Sequence, residues 1–192
     1  MKKGSIIIAV LVVLILAVFI SLYSADWIEK ITGKVIVGEN IVPNGEFNQG
    51  VLGNPPTYWK KASSVLADIS KEEKLSIPYS LKVVYDYEKG NITGYVQSSE
   101  FDLEANTTYK ASYAAKSLSG DKLSTMYIEC DENKSHYAEQ EYTANSEWKI
   151  VRFEFKTNTW TDFKDCIVML KMKNATRRDT LFFDDVKIQK AE

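Results

Sequence analysis

The sequence predicts an all-β protein, an antiparallel β-sandwich of jelly-roll type, that follows a single N-terminal transmembrane helix. Three observations lead to this prediction. An apolar run opens the chain, seven strand-length segments rich in Val, Ile, Tyr, Phe and Thr follow it, and helical periodicity is missing apart from the short stretch "ADISKEEK". The 192 residues, 45% of them hydrophobic, are enough for one domain with a substantial core.

The apolar run extends from Ile6 to Tyr23 and contains no charged residue. At 1.5 Å per residue, a helix of this length measures about 27 Å, close to the thickness of the bilayer hydrocarbon. Two lysines precede the run and acidic residues follow it, so the positive-inside rule places the N-terminus in the cytoplasm and the rest of the chain outside the cell. Residues 1–25 are therefore interpreted as an uncleaved signal anchor in the cell membrane.

Two alternatives for this segment stay open. A cleavable signal peptide usually has a shorter apolar core that ends at small residues spaced A-x-A, whereas Tyr23 occupies the first of those positions in "YSA". A pilin-type leader cut after Gly4 would suit "MKKG", but the acid that such leaders usually carry just inside the helix is absent.

Residues 26–39 are predicted to form a short stalk, and residues 40–192 the sandwich domain. All 26 acidic residues follow residue 25, together with 22 of the 24 Lys and Arg, which gives the exported part a net charge of −4. No basic block is available to attract a phosphate backbone, so nucleic acid is not expected as a partner.

Alternation along the strands assigns side chains to the two faces of each sheet. In "GYVQS", Val96 points to the core, so Tyr95 and Gln97 share the other face. In "LSTMYIEC" the apolar positions point inward, which leaves Tyr127 and Glu129 outward. The acid-rich stretch "DENKSHYAEQEY" is interpreted as a solvated surface loop.

The last strand-like segment, "LFFDDVKI", raises a question of its own. Under a period of two, Phe182, Val186 and Ile188 share the core face, and Asp184 falls on that same face. A carboxylate on a core face costs several kcal/mol unless something neutralises it or donates hydrogen bonds to it. The sequence therefore predicts a partner for Asp184.

Several segments together resemble carbohydrate-binding modules of the family 4, 9 and 22 type. They are "NIVPNGEFNQG" followed by "YW", then "SIPYSLKVV", "YVQSSEFDLEANTTYKASYAAKS", "EWKIVRFEF" and "LFFDDVKI", in that order over residues 40–190. The resemblance implies a galactose-binding-like jelly roll that recognises a polysaccharide or surface glycan without catalysis. Two features depart from the family pattern: no glycine precedes "SIPYSLKVV", and Ala114 stands where these modules often carry a large aromatic residue.

The resemblance also suggests what holds Asp184. Modules of this kind commonly bind a structural calcium ion where the first and last strands meet, and Glu46 and Asp184 are the matching residues here. Calcium takes six to eight oxygen ligands and would neutralise a buried acid. The alternative is that Asp184 accepts hydrogen bonds from backbone amides or pairs with a lysine.

Sugar rings stack on flat aromatic surfaces, and their hydroxyl groups bind amides and carboxylates. Aromatic and polar residues on the non-core faces, or in loops where a ring could be exposed at a rim, are therefore the candidate ligand-binding residues. They are Tyr95, Gln97, Tyr127, Glu129, Arg152, Trp59 and Trp160. For Trp59 the alternative is a buried plug beneath the opening loop, and for Tyr95 and Gln97 it is ordinary packing on the sheet surface.

The remaining candidates for chemistry are few. Cys130 and Cys166 either form one disulfide or are two buried thiols, and their spacing fits no zinc motif. His136 is the only histidine and has no Ser or Cys partner motif, and no spacing marks out a catalytic pair of carboxylates, so no enzyme is expected. The predicted function is glycan recognition outside the cell. The alternative is a structural or adhesive surface protein, including a pilin-like subunit, whose sandwich contacts other proteins.

Overall fold

The computed structural model describes residues 38–62, 64–76, 78–85, 94–130, 135–157 and 162–191, and of residues 135–137 only the main chain. The β-sandwich forms one compact unit that begins at Gly38. Within these ranges no helix has both the length and the apolar character needed to cross a membrane. The predicted signal anchor and most of the predicted stalk lie outside the described residues.

The described strands form two antiparallel sheets, which confirms the predicted sandwich. The strands of the first sheet are β1 (Trp59–Lys61), β4 (Tyr95–Ser98), β5 (Phe101–Leu103), β7 (Lys122–Cys130), β8 (Ser135–Ala144) and β10 (Phe163–Lys173). Those of the second sheet are β2 (Val65–Ser70), β3 (Ser80–Tyr85), β6 (Thr108–Ser117), β9 (Lys149–Lys156) and β11 (Thr180–Lys190). The first sheet has the order β1-β4-β10-β7-β8, with β5 paired to β10, and the second has the order β2-β3-β11-β6-β9.

The core lies between the sheets and follows the alternation predicted for most strands. Every second side chain of the central strands enters one continuous buried cluster, which includes Leu81, Val83, Val96, Tyr109, Ala111, Tyr113, Met126, Ile128, Val168 and Leu170. Two tyrosine hydroxyls cross from the second sheet to the first: Tyr85 donates to the Gly94 carbonyl at 2.6 Å, and Tyr113 lies 3.3 Å from the Ser124 hydroxyl. Burial raises the pKa of both tyrosines to about 12, so both stay neutral.

The opening segment is attached to the last strand. The amide of Val186 donates to the Gly45 carbonyl at 2.9 Å, and that of Ile41 donates to the Ile188 carbonyl at 3.0 Å. The Asn40 side chain joins the same two segments, because its amide oxygen accepts from the Ile188 amide at 3.1 Å. These bonds hold the start of the sandwich against its end.

Two stretches fold differently from the prediction. The stretch considered helical, "ADISKEEK", begins inside β2, because its first residues alternate between buried and exposed positions and pair with β3. The acid-rich stretch predicted as a loop is strand β8 from Ser135 onward, where it pairs with β7. Its Tyr142 packs against the core while Glu141 is exposed, which is the alternation of an edge strand.

A β-bulge interrupts the last strand. The register between β11 and β6 shifts between Asp184 and Lys187, and Asp185 adopts a positive φ of 52°. One extra residue at this point reverses the side-chain parity, so the residues that face the core come from both sides of the bulge. They are Leu181, Phe183, Val186 and Ile188.

The bulge corrects the predicted position of Asp184. Asp184 lies opposite Ala114 and Phe182 lies opposite Lys116, on the face of the second sheet that points away from the core. The prediction that Asp184 shares the face of Val186 is therefore wrong. Asp184 and Phe182 are nevertheless both fully buried, so another segment must cover them.

Cys130, at the end of β7, and Cys166, on β10, are joined by a disulfide bond. Both residues are fully buried on the core side of the first sheet. Of the two alternatives left open by the sequence, the structure has the disulfide, which closes 36 residues of chain between neighbouring strands.

Candidate functional site

The non-core face of the first sheet, here called the front face, carries most of the predicted ligand-binding residues. Its side chains alternate with the core residues of β4, β7 and β10. The residues that face this way include Lys60, Tyr95, Gln97, Thr125, Tyr127, Glu129, Glu139, Glu141, Met169, Lys171 and Lys173. The front face is therefore mixed in charge, with two tyrosine rings near its middle.

Register brings the predicted residues together across β10. Gln97 lies opposite Met169, and Met169 lies opposite Tyr127, so Gln97 and Tyr127 share one row across three strands. Tyr95 starts the neighbouring row. Strands are about 4.8 Å apart and residues about 3.3 Å apart along a strand, so the two tyrosines, two strands and two residues apart, project from positions roughly 12 Å apart. Glu129 follows two residues after Tyr127 on the same strand, and all four predicted side chains are half-buried.

Lys171 lies between the two tyrosines. It is opposite Tyr95 on one side, and its ammonium nitrogen lies 3.8 Å from the centroid of the Tyr127 ring and 5.9 Å from that of Tyr95. An ammonium group at this distance over an aromatic ring is attracted by the negative face of the ring. Burial lowers the pKa of Lys171, and the charges of Glu129 and Glu139 oppose that shift.

A hydrogen-bonded group of side chains occupies the β8 end of the front face. The Lys173 ammonium donates to Glu139 at 2.9 Å and also to Glu141. Burial alone would raise the pKa of Glu139, but hydrogen bonds from Tyr127 and Lys173 outweigh it and hold that pKa below its usual value. The Tyr127 hydroxyl thus has a fixed partner, which sets the position of its ring.

Trp59 does not belong to the front face, which corrects its prediction as a ligand-binding residue. The residue is only 4% exposed, its indole nitrogen donates to the Pro43 and Asn44 carbonyls at 3.1 Å, and its ring packs 5.1 Å from that of Phe47. A buried ring that packs on Phe47 and whose N–H is engaged in this way is a plug beneath the opening loop, the alternative that the sequence left open. Trp59 is therefore part of the core.

Arg152 does not lie on the front face either. Arg152 lies on β9, opposite Ser112, and points outward from the second sheet. Alternation predicted its outward direction correctly, but alternation does not tell which sheet a strand joins. The predicted site residue Trp160 lies outside the described residues.

The residues that the prediction missed come mainly from β10. Met169, Lys171 and Lys173 alternate with the core residues Leu170 and Met172, so the pattern "VMLKMK" contains the signal that assigns them to the front face. A second missed group is on β8, because the acidic composition of that stretch favours a loop. The charged half of the front face was therefore overlooked.

The surroundings of Asp184 bear on the expected calcium ion. One carboxylate oxygen accepts from the amides of Leu75 and Ser76 at 2.9 and 2.8 Å, and the other accepts from the Ser76 hydroxyl and the Asp185 amide, both at 2.8 Å. Burial raises the pKa of Asp184, and these hydrogen bonds offset part of that shift. A carboxylate offers about four lone-pair positions, and all four are occupied by donors. Asp184 therefore does not fit the role of a calcium ligand.

The other expected ligand, Glu46, is half exposed, and one of its oxygens lies 3.9 Å from the Lys187 ammonium. In the part of the chain that the structure describes, no cluster of three or more His, Cys, Asp or Glu could hold a metal ion. Calcium binding stays a prediction that ion titration must test, and the donors at Asp184 do not support it.

The family comparison agrees with this geometry. Residues 39–177, well over half of the chain, match the family model described as "Carbohydrate binding domain" for modules of families 4 and 9. The chain belongs to the carbohydrate-binding domain family. No curated protein matches this chain.

Solved structures with the same fold include further carbohydrate-binding modules. The CBM22-1 xylan-binding domain of Paenibacillus barcinonensis Xyn10C is 12% identical with a TM-score of 0.58, covering 83% of this chain and 99% of that one. The N-terminal cellulose-binding domain of Cellulomonas fimi β-1,4-glucanase C is 17% identical with a TM-score of 0.57, covering 80% and 99%. A cyclase from Fischerella sp. TAU is 12% identical with a TM-score of 0.62, covering 81% and 98%, so the fold alone does not decide between binding and catalysis.

Proposed function

We propose that this carbohydrate-binding domain recognises a polysaccharide or surface glycan without catalysis, and that the apolar segment Ile6–Tyr23 holds it in the membrane with the sandwich outside the cell. The single observation that supports glycan binding most directly is the front face. There Tyr95, Gln97 and Tyr127 lie in two adjacent rows of one rigid sheet. This arrangement supplies aromatic surface for a sugar ring and an amide for its hydroxyl groups.

The non-catalytic part of the proposal rests on the state of the acids on the front face. Glu139 and Glu141 both bind the Lys173 ammonium, and Glu139 is also bonded to Tyr127. A glycosidase needs one carboxyl group with a raised pKa to protonate the leaving group. The pKa of Glu139 is lowered instead, which suits a fixed structural or binding role.

The membrane part of the proposal rests on the sequence. The run from Ile6 to Tyr23 has the length of a bilayer span, and lysines precede it. Individual modules of this size commonly bind weakly, so many copies displayed on one surface would raise the overall avidity.

Binding of residues 38–192 to arrays of plant, microbial and animal polysaccharides tests the proposal. We expect at least one glycan to bind, and Tyr95→Ala and Gln97→Ala each to weaken that binding at least fivefold, the loss expected for a central contact residue. Arg152→Ala is the matched control, because its side chain leaves the second sheet on the opposite side of the sandwich. Absence of binding to all glycans, or equal loss in the control, would favour the structural or adhesive alternative.

A further inference from the structure

The centre of the front face contains an ammonium group, that of Lys171, that forms no ion pair with the described part of the chain. No hydrogen bond or ion pair joins Lys171 to any described residue, and its close contacts are the rings of Tyr127 and Tyr95. Glu129 and Glu139 act on it electrostatically without forming an ion pair, and Lys173 repels it. A half-buried charge in this condition is costly unless an acceptor reaches it.

A second unsatisfied polar group lies beside Lys171. Thr125 is opposite Lys171 on the neighbouring strand, it is fully buried, and its hydroxyl has no hydrogen-bond partner among the described residues. Most buried polar side chains have a partner, so the sheet beside Lys171 leaves its polar groups unusually short of hydrogen bonds. Thr125 is closed off from solvent, and Lys171, which is half-buried, is the group that an external acceptor can reach.

Charge is distributed unevenly over the front face. On the β8 side, Glu139 and Glu141 share the Lys173 ammonium. On the β1 side, Lys60 lies opposite Gln97, is exposed, and makes no ion pair with a described residue. The half that contains Lys60, Gln97 and Lys171 is therefore the positive half of the front face.

We infer that the front face binds a saccharide that carries a carboxylate, and that Lys171 is the residue that determines this specificity. This inference rests on the proposed glycan binding and names the ligand class. The Lys171 ammonium donates to the carboxylate, and the rings of Tyr95 and Tyr127 contact the sugar on either side. Hydrogen bonds between charged partners are about twice as strong as those between neutral ones, so an acidic sugar outcompetes its neutral analogue.

The test compares uronic acid polymers, such as polygalacturonate, alginate and glucuronoxylan, with their carboxyl-reduced forms, using the full-length protein. We expect an acidic polymer to bind at least tenfold more tightly than its reduced form, with affinity that falls as salt rises. Lys171→Met should abolish this preference without lowering the melting temperature, because it removes a charge that is costly in the unbound protein. Lys61→Met is the matched control, because Lys61 lies opposite the core residue Val96 and so off the front face.

The outcomes separate the two proposals. Binding to neutral polymers that Lys171→Met leaves unchanged overturns the inference and keeps the proposed function. Binding to neither series of polymers overturns both.

A second inference comes from a different place, the junction of the opening segment with the last strand. The bulge directs Lys187 toward two carboxylates: its ammonium lies 2.6 Å from an Asp185 oxygen and 3.9 Å from a Glu46 oxygen. Glu46 belongs to the opening segment and Asp185 to β11, so one cation bridges the first and last parts of the sandwich. Asp184, the acid expected to hold calcium there, is saturated by hydrogen-bond donors.

We propose that the Lys187 ammonium takes the place of a metal ion at this junction, so that the sandwich is stable without calcium. The charge of Lys187 is balanced by acids from both segments, as that of a bridging cation would be. Backbone hydrogen bonds from Val186 to Gly45 and from Ile41 to Ile188 complete the connection without an ion.

Thermal unfolding of the full-length protein with calcium and with EDTA tests this second inference. We expect the melting temperature to be the same in both conditions, and Lys187→Gln to lower it by about 2–4 °C, the shift that corresponds to one bridging interaction in a domain of this size. Lys164→Gln, which breaks the exposed pair with Asp102, is the control and should leave the melting temperature unchanged. A fall with EDTA in the natural protein, or an unchanged melting temperature in Lys187→Gln, overturns the inference.

Discussion

At the scale of single residues, Asp179 shows how one carboxylate can order a turn and attach it to a neighbouring strand. One of its oxygens accepts from the Thr176 amide at 2.6 Å, the Thr176 hydroxyl at 2.9 Å and the Lys122 ammonium at 2.7 Å. Burial would raise the pKa of Asp179, but the hydrogen bonds from Lys122 and Thr176 outweigh it and lower that pKa. The carboxylate therefore stabilises the native state in its charged form.

Asp179→Asn should lower the free energy of unfolding at pH 7 by about 1–3 kcal/mol, because the amide replaces a charged acceptor shared by three donors. The pKa of Asp179 is lower in the native state than in the unfolded state. Its contribution to the free energy of unfolding is therefore fully present above the unfolded-state pKa and is lost as the pH falls through the native-state pKa. Urea unfolding at pH 7 and at about pH 3 should therefore show a difference between the natural protein and the variant that shrinks in acid.

The matched control is Asp102→Asn, which removes an exposed ion pair with Lys164 and should have no measurable effect at either pH. A difference between the natural protein and Asp179→Asn that is equally large in acid would show that the packing of the turn, and not the charge, carries the effect.

At the scale of secondary-structure elements, one loop covers the outer face of the second sheet. Residues 71–76 cross this face, and two adjacent acids fix the loop to the sheet: Glu72 pairs with Lys82 at 2.6 Å, and Glu73 pairs with Lys116 at 2.7 Å. The amides of the same loop donate to Asp184. Phe182 lies between the two lysines in the sheet register, which accounts for a buried aromatic ring outside the core.

The contact between the opening segment and β11 is close enough to require glycine at position 45. A Cβ added at Gly45 would lie 2.0 Å from the Val186 carbonyl oxygen, so main-chain atoms would have to move apart. Gly45→Ala should lower the free energy of unfolding by about 1–3 kcal/mol. It should also accelerate hydrogen exchange at the amides of Val186 and Ile188, which lose their partners when the segments separate.

Gly120→Ala is the control for this variant. A Cβ at Gly120 has open space around it, and its φ of +75° gives only the local strain of a left-handed residue. Faster exchange at Val186 in the control as well would mean that overall destabilisation, and not separation of the two segments, is the cause.

At the scale of the whole molecule, alternation in the sequence predicted the sandwich and the faces of the strands that are regular. Alternation places Tyr95 and Tyr127 on an outward face because their neighbours Val96, Met126 and Ile128 point to the core, and both tyrosines lie on the front face. Alternation could not predict two kinds of feature: an irregularity within a strand, and the sheet to which a strand belongs. The bulge at Asp185 reverses parity within the last strand, and only the strand order shows that Arg152 and Tyr95 lie on different sheets.

The burial of Trp59 and the neighbours of Lys171 illustrate a second limit. An aromatic residue near prolines in a polar stretch has the composition of an exposed loop, and only the three-dimensional contact with Phe47 shows that it is a plug. Likewise, Lys171 appears in the sequence as one of many surface lysines, and its position between two rings depends on the pairing of three strands.

The disulfide acts on the stability of the whole sandwich. It closes a 36-residue loop, so its loss should lower the free energy of unfolding by about 2–4 kcal/mol, mainly because the unfolded chain becomes freer. With reductant present, urea unfolding should give the natural protein a free energy of unfolding close to that of the double variant Cys130→Ala, Cys166→Ala. The double variant should itself be insensitive to reductant, and a natural protein that reductant leaves unchanged would contradict the prediction.

The neighbouring positions of the two ends of the sandwich have a practical consequence for measuring binding. The Gln189 side chain donates to the Gly38 carbonyl, so the chain enters and leaves the domain at one corner of the second sheet. A biotin tag or a fusion partner attached at the end of the chain would therefore follow β11 of the second sheet and not a strand of the front face. Coupling through that tag to a sensor chip would attach the protein through the second sheet and leave Tyr95, Lys171 and Tyr127, on the first sheet, available to the flowing glycan.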